Sequence, residues 1–374
     1  MNFEFSQEQN LLREQAVGML RSKCPPNVVR RVLEHDKEPY AKELWSEMAN
    51  LGWQAATIPE EFGGIGLTHL ELCVIAEEIG RAVAPVPFSS SVYLATEALL
   101  MAGSQAQKEK WLPKLATGEA IGTFALAERA GSATARSLRT KFADGALKGS
   151  KLAVPDGDVA DFAIVVGASK AGDRASWYLA ELGDKNVKKQ RVTMIDPSRS
   201  HANVKFNGAV AEPLGNDGAG WALTQALLNR AAVLFAWEQV GGAQAALDQA
   251  KEYALGRYAF GRPIASYQAI KHKLANAYVK NTLARGNCYF GAWALSTGAV
   301  ELPTAAATAR VSATQAYYFA SKENIQTHGG MGFTWEFDCQ FHYRRAKLLS
   351  VNLGGEAEWQ DRLISALEAE HAAA

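Results

Sequence analysis

The sequence has little of what several protein classes require. Its longest uninterrupted apolar run covers residues 231–237, far short of the roughly 20 residues that cross a bilayer, so no membrane span is expected. It has no charge excess of either sign, because 39 Lys and Arg balance 39 Asp and Glu. A nucleic-acid partner is therefore not favoured, since neutralising phosphates calls for a basic excess. Cysteine is scarce and scattered: Cys24, Cys73, Cys288 and Cys339 form no C-x-x-C pair. That spacing argues against a metal cluster or a disulfide framework. The start of the chain, Met1-Asn2-Phe3-Glu4-Phe5, lacks the basic-then-apolar pattern of a secretory signal. The expected compartment is the cytoplasm. What is present is a globular balance, 48% hydrophobic and 21% charged over 374 residues, enough for two or three domains.

The texture changes twice along the chain. The first third carries apolar residues at helical spacing, as in Leu11, Leu12, Ala16, Met19 and Leu20. Ser6 opens that segment as a helix cap. The stretch Ile58-Pro59 to Gly66 holds three glycines and demands a loop. A helix is expected over 68–81, and helical pattern resumes up to Leu112-Pro113. From about residue 121 to 215 the segments become short and β-rich: 122–126, 162–166, 177–180, 191–195 and 204–206. Asp144-Gly145, Asp156-Gly157 and Asn207-Gly208 punctuate them, which suggests a small antiparallel barrel or sandwich. Helical patterns then return at 221–257, interrupted by Gly241-Gly242, and at 265–298, 303–327 and 356–371. There is no βαβ alternation, which argues against a doubly wound dinucleotide fold.

Four stretches carry a further signal. They are Pro59-Glu60-Glu61-Phe62-Gly63-Gly64-Ile65-Gly66; the lead from Lys110 through Leu112-Pro113 to Gly118-Glu119; Arg257 with Phe260-Gly261, Ile264 and Gln268; and Gln326 with Gly329-Gly330 and Gly332-Phe333. In order and spacing they resemble the P-E-x-x-G-G-x-G, K-x-x-x-L-P-x-L-x-x-G-E, R-x-x-F-G-x-x-I-x-x-x-Q and Q-x-x-G-G-x-G-F motifs of the acyl-CoA dehydrogenase family. The resemblance runs over nearly the whole chain. It implies an α+β fold with an N-terminal helical domain (1–119), a middle antiparallel β-domain (120–219) and a C-terminal four-helix bundle (220–374). It also implies α,β-dehydrogenation of an acyl-CoA thioester with FAD as hydride acceptor and electron-transfer flavoprotein as the onward acceptor. Assembly as a dimer or tetramer, with itself or a related subunit, goes with it; no metal does.

In that family FAD lies at a subunit interface, and the neighbouring protomer contacts the pyrophosphate and adenosine. By resemblance, Arg257, Phe260, Gln268, Gln326, Gly329 and Gly330 are the residues this chain lends to FAD. The residue types suit that role. An arginine fork donates two hydrogen bonds to phosphate oxygens, and glycine lets a backbone approach closely.

The other half of the pattern departs from the family. Its flavin-ring motif T-E-P-x-A-G-S-D reads here Ala127-Glu128-Arg129-Ala130-Gly131-Ser132-Ala133. Its K-x-W-I-T becomes Lys151-Leu152-Ala153-Val154-Pro155. An aromatic is replaced by Ala153, and a hydroxyl by Pro155, which has no side-chain donor and no N–H. The family's base, a Glu in a Y-E-G-T segment, falls on Gly355 when counted back from Arg362-Leu363-Ile364; Glu356 is the next residue. Glu356 and Glu358 also suit a helix's first turn by dipole alone. Where some members carry the base on the long helix, Asn229-Arg230-Ala231-Ala232 has no carboxylate, and Glu238 lies further along. Glu356 and Glu238 are the catalytic candidates. His328, His342, Arg344 and Arg345 suit either phosphate contact or surface charge.

The damage is one-sided, so the favoured reading is the supporting subunit of a heteromer, lending FAD contacts to a catalytic relative. The alternatives are a self-sufficient homo-oligomer with a displaced Glu, and a scaffold that has lost flavin. The acyl group stays open between fatty and bulky, steroid-like chains.

Overall fold

The computed structural model describes residues 5–34, 38–169 and 174–373. Helices come first: α1 (Gln7–Lys23), α2 (Pro26–Glu34), α3 (Lys42–Asn50), α4 (His69–Arg81), α5 (Glu97–Ala102) and α6 (Gln105–Ala116). Seven strands follow: β1 (Gly122–Ala125), β2 (Lys141–Ala143), β3 (Ala146–Pro155), β4 (Phe162–Ala168), β5 (Ala175–Glu181), β6 (Val187–Arg191) and β7 (His201–Leu214). Then come α7 (Gly220–Gly256), the short hairpin β8 (Tyr258–Ala259) and β9 (Arg262–Pro263), α8 (Gln268–Thr297), α9 (Leu302–His328), α10 (Cys339–Leu349) and α11 (Glu356–Ala373). The helix–strand–helix order read from the sequence is the order observed.

The chain forms two compact units. One comprises Met1–Arg30, His69–Ala84 and Ala232–Ala374; the other comprises Arg31–Thr68 and Pro85–Ala231. The second unit holds the sheet, in the order β1-β4-β5-β7-β3-β2, with β6 also on β7. Pairing is antiparallel except between β1 and β4, which run parallel. β7 joins the two halves, pairing with β5 through Ala211–Leu214 and with β3 and β6 through its earlier residues. β4 and β5 are buried almost throughout, which is why their apolar runs stand out in sequence. Asp144 and Gly145 both take positive φ, 50° and 76°, as a tight hairpin between β2 and β3 requires. The strand expected at 191–195 lies earlier, at Val187–Arg191. Its Lys188-Lys189-Gln190 core is exposed; charged edge strands carry no hydrophobic signal.

In the helical unit, α7 runs without a break through Gly241-Gly242, which corrects the expected interruption. The physical reason is close packing. A Cβ on Gly241 would stand 1.8 Å from the Glu77 carbonyl oxygen, one on Gly80 would stand 1.8 Å from that of Glu238, and one on Gly242 would stand 2.4 Å from the Tyr317 ring. Each glycine costs the helix about 1 kcal/mol of propensity, and backbone contact with α4 and side-chain contact with α9 offset it. At the same junction Glu77, 1% exposed, accepts from Arg285 at 2.5 Å and Arg13 at 2.9 Å, with Arg81 at 3.8 Å. Burial pushes its carboxyl up, but the three arginines outweigh burial and hold it below the usual range. Among the described residues no helix is long and apolar enough to cross a membrane.

Candidate functional site

The six residues read as FAD contacts gather at one end of the helical unit. Tyr253 near the end of α7 stacks on His328 at the end of α9, with ring centroids 4.1 Å apart. Asn324 donates to Gln249 at 2.7 Å, and Lys273 of α8 pairs with Glu323 of α9 at 3.2 Å. These contacts bring the last turn of α7, the first turns of α8 and the last turn of α9 together. The β8–β9 hairpin is pinned there by Tyr267, whose hydroxyl donates to the Ala259 carbonyl at 2.9 Å. Arg257 and Phe260 sit on this hairpin, Gln268 opens α8, and Gln326, Gly329 and Gly330 close α9.

Their chemistry is outward. Arg257, Gln268, Gln326 and Gly330 are exposed. No described residue partners the Arg257, Gln268 or Gln326 side chain. Phe260 is 97% exposed and takes φ +51°, an arrangement that costs an aromatic residue both hydration and backbone energy. A Cβ placed on Gly329, at φ +61°, or on Gly330 would meet nothing within 4 Å, so their backbone faces open space. A guanidinium and two amides are donors of the kind that phosphate oxygens take, the open space at Gly329 and Gly330 lets a ligand approach the backbone, and the exposed ring offers a flat apolar cover; the Gly329 N–H itself donates to the Gln326 carbonyl. This donor set fits the nucleotide part of FAD.

The strands that would meet a flavin ring are different. Ala153 is exposed, with φ +45°, and its N–H donates to Asn203 Oδ1 at 3.0 Å. Pro155 offers only its carbonyl, which accepts from Thr123 Oγ1 at 2.5 Å. Asp156 next to it is buried, with φ +51°, and is held by the Ser90 hydroxyl at 2.6 Å and the Ser200 hydroxyl at 3.4 Å; burial pushes its carboxyl up. Glu128 turns inward to buried Lys151 at 2.7 Å. It also accepts from the Arg139 and Thr140 N–H groups. Burial first, with Glu128 opposing, moves the Lys151 ammonium down to about 8. The surface therefore offers neither an aromatic at 153 nor a hydroxyl at 155, and it does not fit a tightly held ring. Because a side chain in the left-handed region is strained, Ala153→Gly should raise stability by about 0.5–1 kcal/mol. A higher denaturation midpoint would show it, and an unchanged or lower one would contradict it.

The two carboxylate candidates occupy unlike places. Glu356 opens α11, half-buried, and accepts from Gln315 at 2.6 Å and from Gln360 at 3.2 Å. Just before it, Gly354 takes φ +100° and lies under the Glu358 carboxylate, while Trp359 donates to the Leu353 carbonyl at 3.1 Å. Glu238 is fully buried and faces Arg345 at 3.4 Å, both side chains being 0% exposed. Arg345 also donates to the Val83 and Ala84 carbonyls. Arg310, likewise buried, donates to Gln239 at 2.5 Å and to the Leu349 carbonyl; burial lowers its pKa to about 9 despite Glu238. Of the residues left open between phosphate contact and surface charge, Arg345, His328 and His342 are buried. The sequence reading missed the Glu238–Arg345–Arg310 group and the Ser90–Asp156 pair. A faint signal existed in charged residues set inside alanine-rich helical stretches, and in the Ser89-Ser90-Ser91 run. No cluster of His, Cys, Asp or Glu among the described residues could hold a metal ion.

A helical N-terminal segment, a mainly antiparallel sheet and long C-terminal helices are the element order that the acyl-CoA dehydrogenase resemblance implies. Residues 6–119 match the acyl-CoA dehydrogenase N-terminal domain, and residues 218–367 match the C-terminal domain. The chain is 33% identical to acyl-CoA dehydrogenase IpdE2 of Mycolicibacterium smegmatis over 359 residues, 96% of this chain and 98% of the relative. Among solved structures it is similar to butyryl-CoA dehydrogenase from Megasphaera elsdenii, with TM-score 0.89, 26% identity and 98% and 100% of the two chains covered. It is also similar to the ChsE4-ChsE5 complex from Mycobacterium tuberculosis, with TM-score 0.88, 25% identity and 98% and 99% covered. The chain belongs to the acyl-CoA dehydrogenase family, oxidoreductases acting on CH–CH bonds.

Proposed function

We propose that this chain is the supporting subunit of a heteromeric acyl-CoA dehydrogenase. In this reading a related, intact subunit holds the flavin ring and the catalytic base. This chain reaches across with Arg257, Gln268 and Gln326 to the FAD pyrophosphate and adenosine, Gly329 and Gly330 leave room for the nucleotide against the backbone, and Phe260 covers it. When bound, FAD accepts the hydride that leaves the acyl β-carbon. This chain's part is to bind and orient. Its arginine neutralises phosphate charge, and its glycines let the backbone close on the nucleotide without obstruction. The substrate is an acyl-CoA thioester, and electron-transfer flavoprotein takes the electrons onward.

The observation that carries this reading is the asymmetry of the chain. The side-chain donors of Arg257, Gln268 and Gln326 stand exposed with no described residue to pair them, whereas Ala153, Pro155 and the inward Glu128 leave a ring little to rest on. The ChsE4-ChsE5 complex, a fold neighbour, is an assembly of two differently named chains, which supports a two-subunit arrangement here. The test is flavin content and native mass, with the chain expressed alone and then beside a related intact dehydrogenase. Expected are a colourless, inactive protein alone, and a yellow heteromer with flavin in about half the chains. A homomer with near-stoichiometric flavin and dehydrogenase turnover would overturn the proposal. So would a heteromer without flavin, which would favour a scaffold.

A further inference from the structure

The helical unit contains a cavity of about 310 Å3 that none of the FAD-contact residues lines. It lies where the end of α1, the start of α2, the end of α4 and the start of α10 meet. Val17, Leu20, Cys24, Val29, Val83 and Phe341 form its apolar wall. Most charged groups around it are already matched. Arg81 donates to Glu78 at 3.1 Å and to Asp248 at 3.3 Å, and Asp338 is held by Arg30. The Cys24 thiol points at the Ala82 carbonyl, 3.8 Å away; burial pushes its pKa up to about 12, so it stays neutral.

Arg21 also lines the cavity and is exposed, whereas His342 is the buried polar side chain with a ring nitrogen to spare. It lines the cavity and is 8% exposed. Its Nδ1 lies 3.2 Å from the Tyr317 hydroxyl, and no described residue partners Nε2. Burial, then Arg345 and Arg81, push the ring's pKa down to about 3, so the imidazole is uncharged at neutral pH. Nε2 is thus available to a ligand oxygen that enters the cavity. A neutral ring suits a hydroxyl or a carbonyl. It gives a carboxylate no charge to offset its desolvation, and the exposed Arg21 at the edge offers only a solvent-screened one.

An apolar cavity of about 150 Å3 accepts benzene. This one has about twice that room. We propose that it binds a small uncharged amphiphile: a hydrocarbon body of about eight carbons, or two fused rings, ending in one hydroxyl or carbonyl oxygen that meets His342. The proposal does not rest on the heteromer reading.

The test is calorimetric titration of the full chain with 1-octanol and with octanoate at neutral pH. Saturable one-to-one binding of octanol is expected, with octanoate at least tenfold weaker. Val17→Trp, at a half-exposed rim position, should abolish octanol binding and leave the circular dichroism spectrum unchanged. His342→Phe keeps a ring but removes both nitrogens, and should weaken octanol about five- to tenfold. Absence of saturable octanol binding, binding that Val17→Trp leaves intact, or octanoate binding as tightly as octanol would each overturn the proposal.

Discussion

Replacing Glu238 with alanine is expected to lower the stability of the helical unit by roughly 3–5 kcal/mol, a fall in thermal midpoint on the order of 10 °C. Arg345 is 0% exposed and Arg310 1% exposed. With Glu238 gone, two buried cations lose the carboxylate beside them and keep neutral acceptors such as the Val83, Ala84 and Leu349 carbonyls and the Gln239 amide. Arg310 already shows the strain of that setting, since its pKa stands at about 9 even with Glu238 present. Glu238→Gln should lose nearly as much, because it keeps the shape and removes the charge. The double variant Glu238→Leu with Arg345→Met should recover most of the loss, as apolar replacements of buried ion pairs do. Thermal and urea unfolding of the four proteins would check this. An unchanged midpoint in Glu238→Ala, with dehydrogenase turnover abolished in the assembled enzyme, would instead make Glu238 a catalytic group.

The second large effect is expected at Arg257 and concerns flavin, not folding. Under the heteromer reading, Arg257→Ala removes charge-assisted hydrogen bonds to the FAD pyrophosphate. Such bonds contribute about 1.5–3 kcal/mol, and every 1.4 kcal/mol is about tenfold, so flavin retention by the complex should fall roughly 10- to 100-fold. Arg257→Lys should recover part of it, because an ammonium supplies the charge without the two-pronged geometry. The lone chain's stability should stay within about 0.5 kcal/mol of the wild type, since Arg257 is exposed and rests on no described partner. The measurement is flavin release from the complex followed by fluorescence. Wild-type retention in Arg257→Ala would contradict the assigned contact.

The fold was largely legible because its signals are local. Helices α4 and α9 fall within a residue or two of the expected 68–81 and 303–327, since a run of apolar residues at 3.6 spacing between breakers has few other solutions. The misreadings have a common cause. Gly241-Gly242 looks like a helix break in one dimension, and becomes a packing device once Glu77 and Tyr317 lie against it. Strand β6 is hidden because an edge strand of lysines and glutamine needs β7, not apolar side chains, to be a strand.

The candidate site divides along the same line. Arg257, Phe260, Gln268, Gln326 and the paired glycines were singled out only because their motifs resemble the family's, and their exposure follows from places at helix ends and a hairpin. Glu238, Glu356 and Arg345 could not be told apart in sequence, where each is a charged residue in a helical context. By itself the sequence determined the order of elements, the family motifs and the loss of the aromatic at 153 and the hydroxyl at 155, because these depend on residue type and near neighbours. Only the tertiary structure decided that Glu238 and Arg345 are sealed together in a core, that Glu356 lies against Gln315, and that His342 faces a cavity. Burial and pairing are set by residues that lie tens to hundreds of positions apart along the chain.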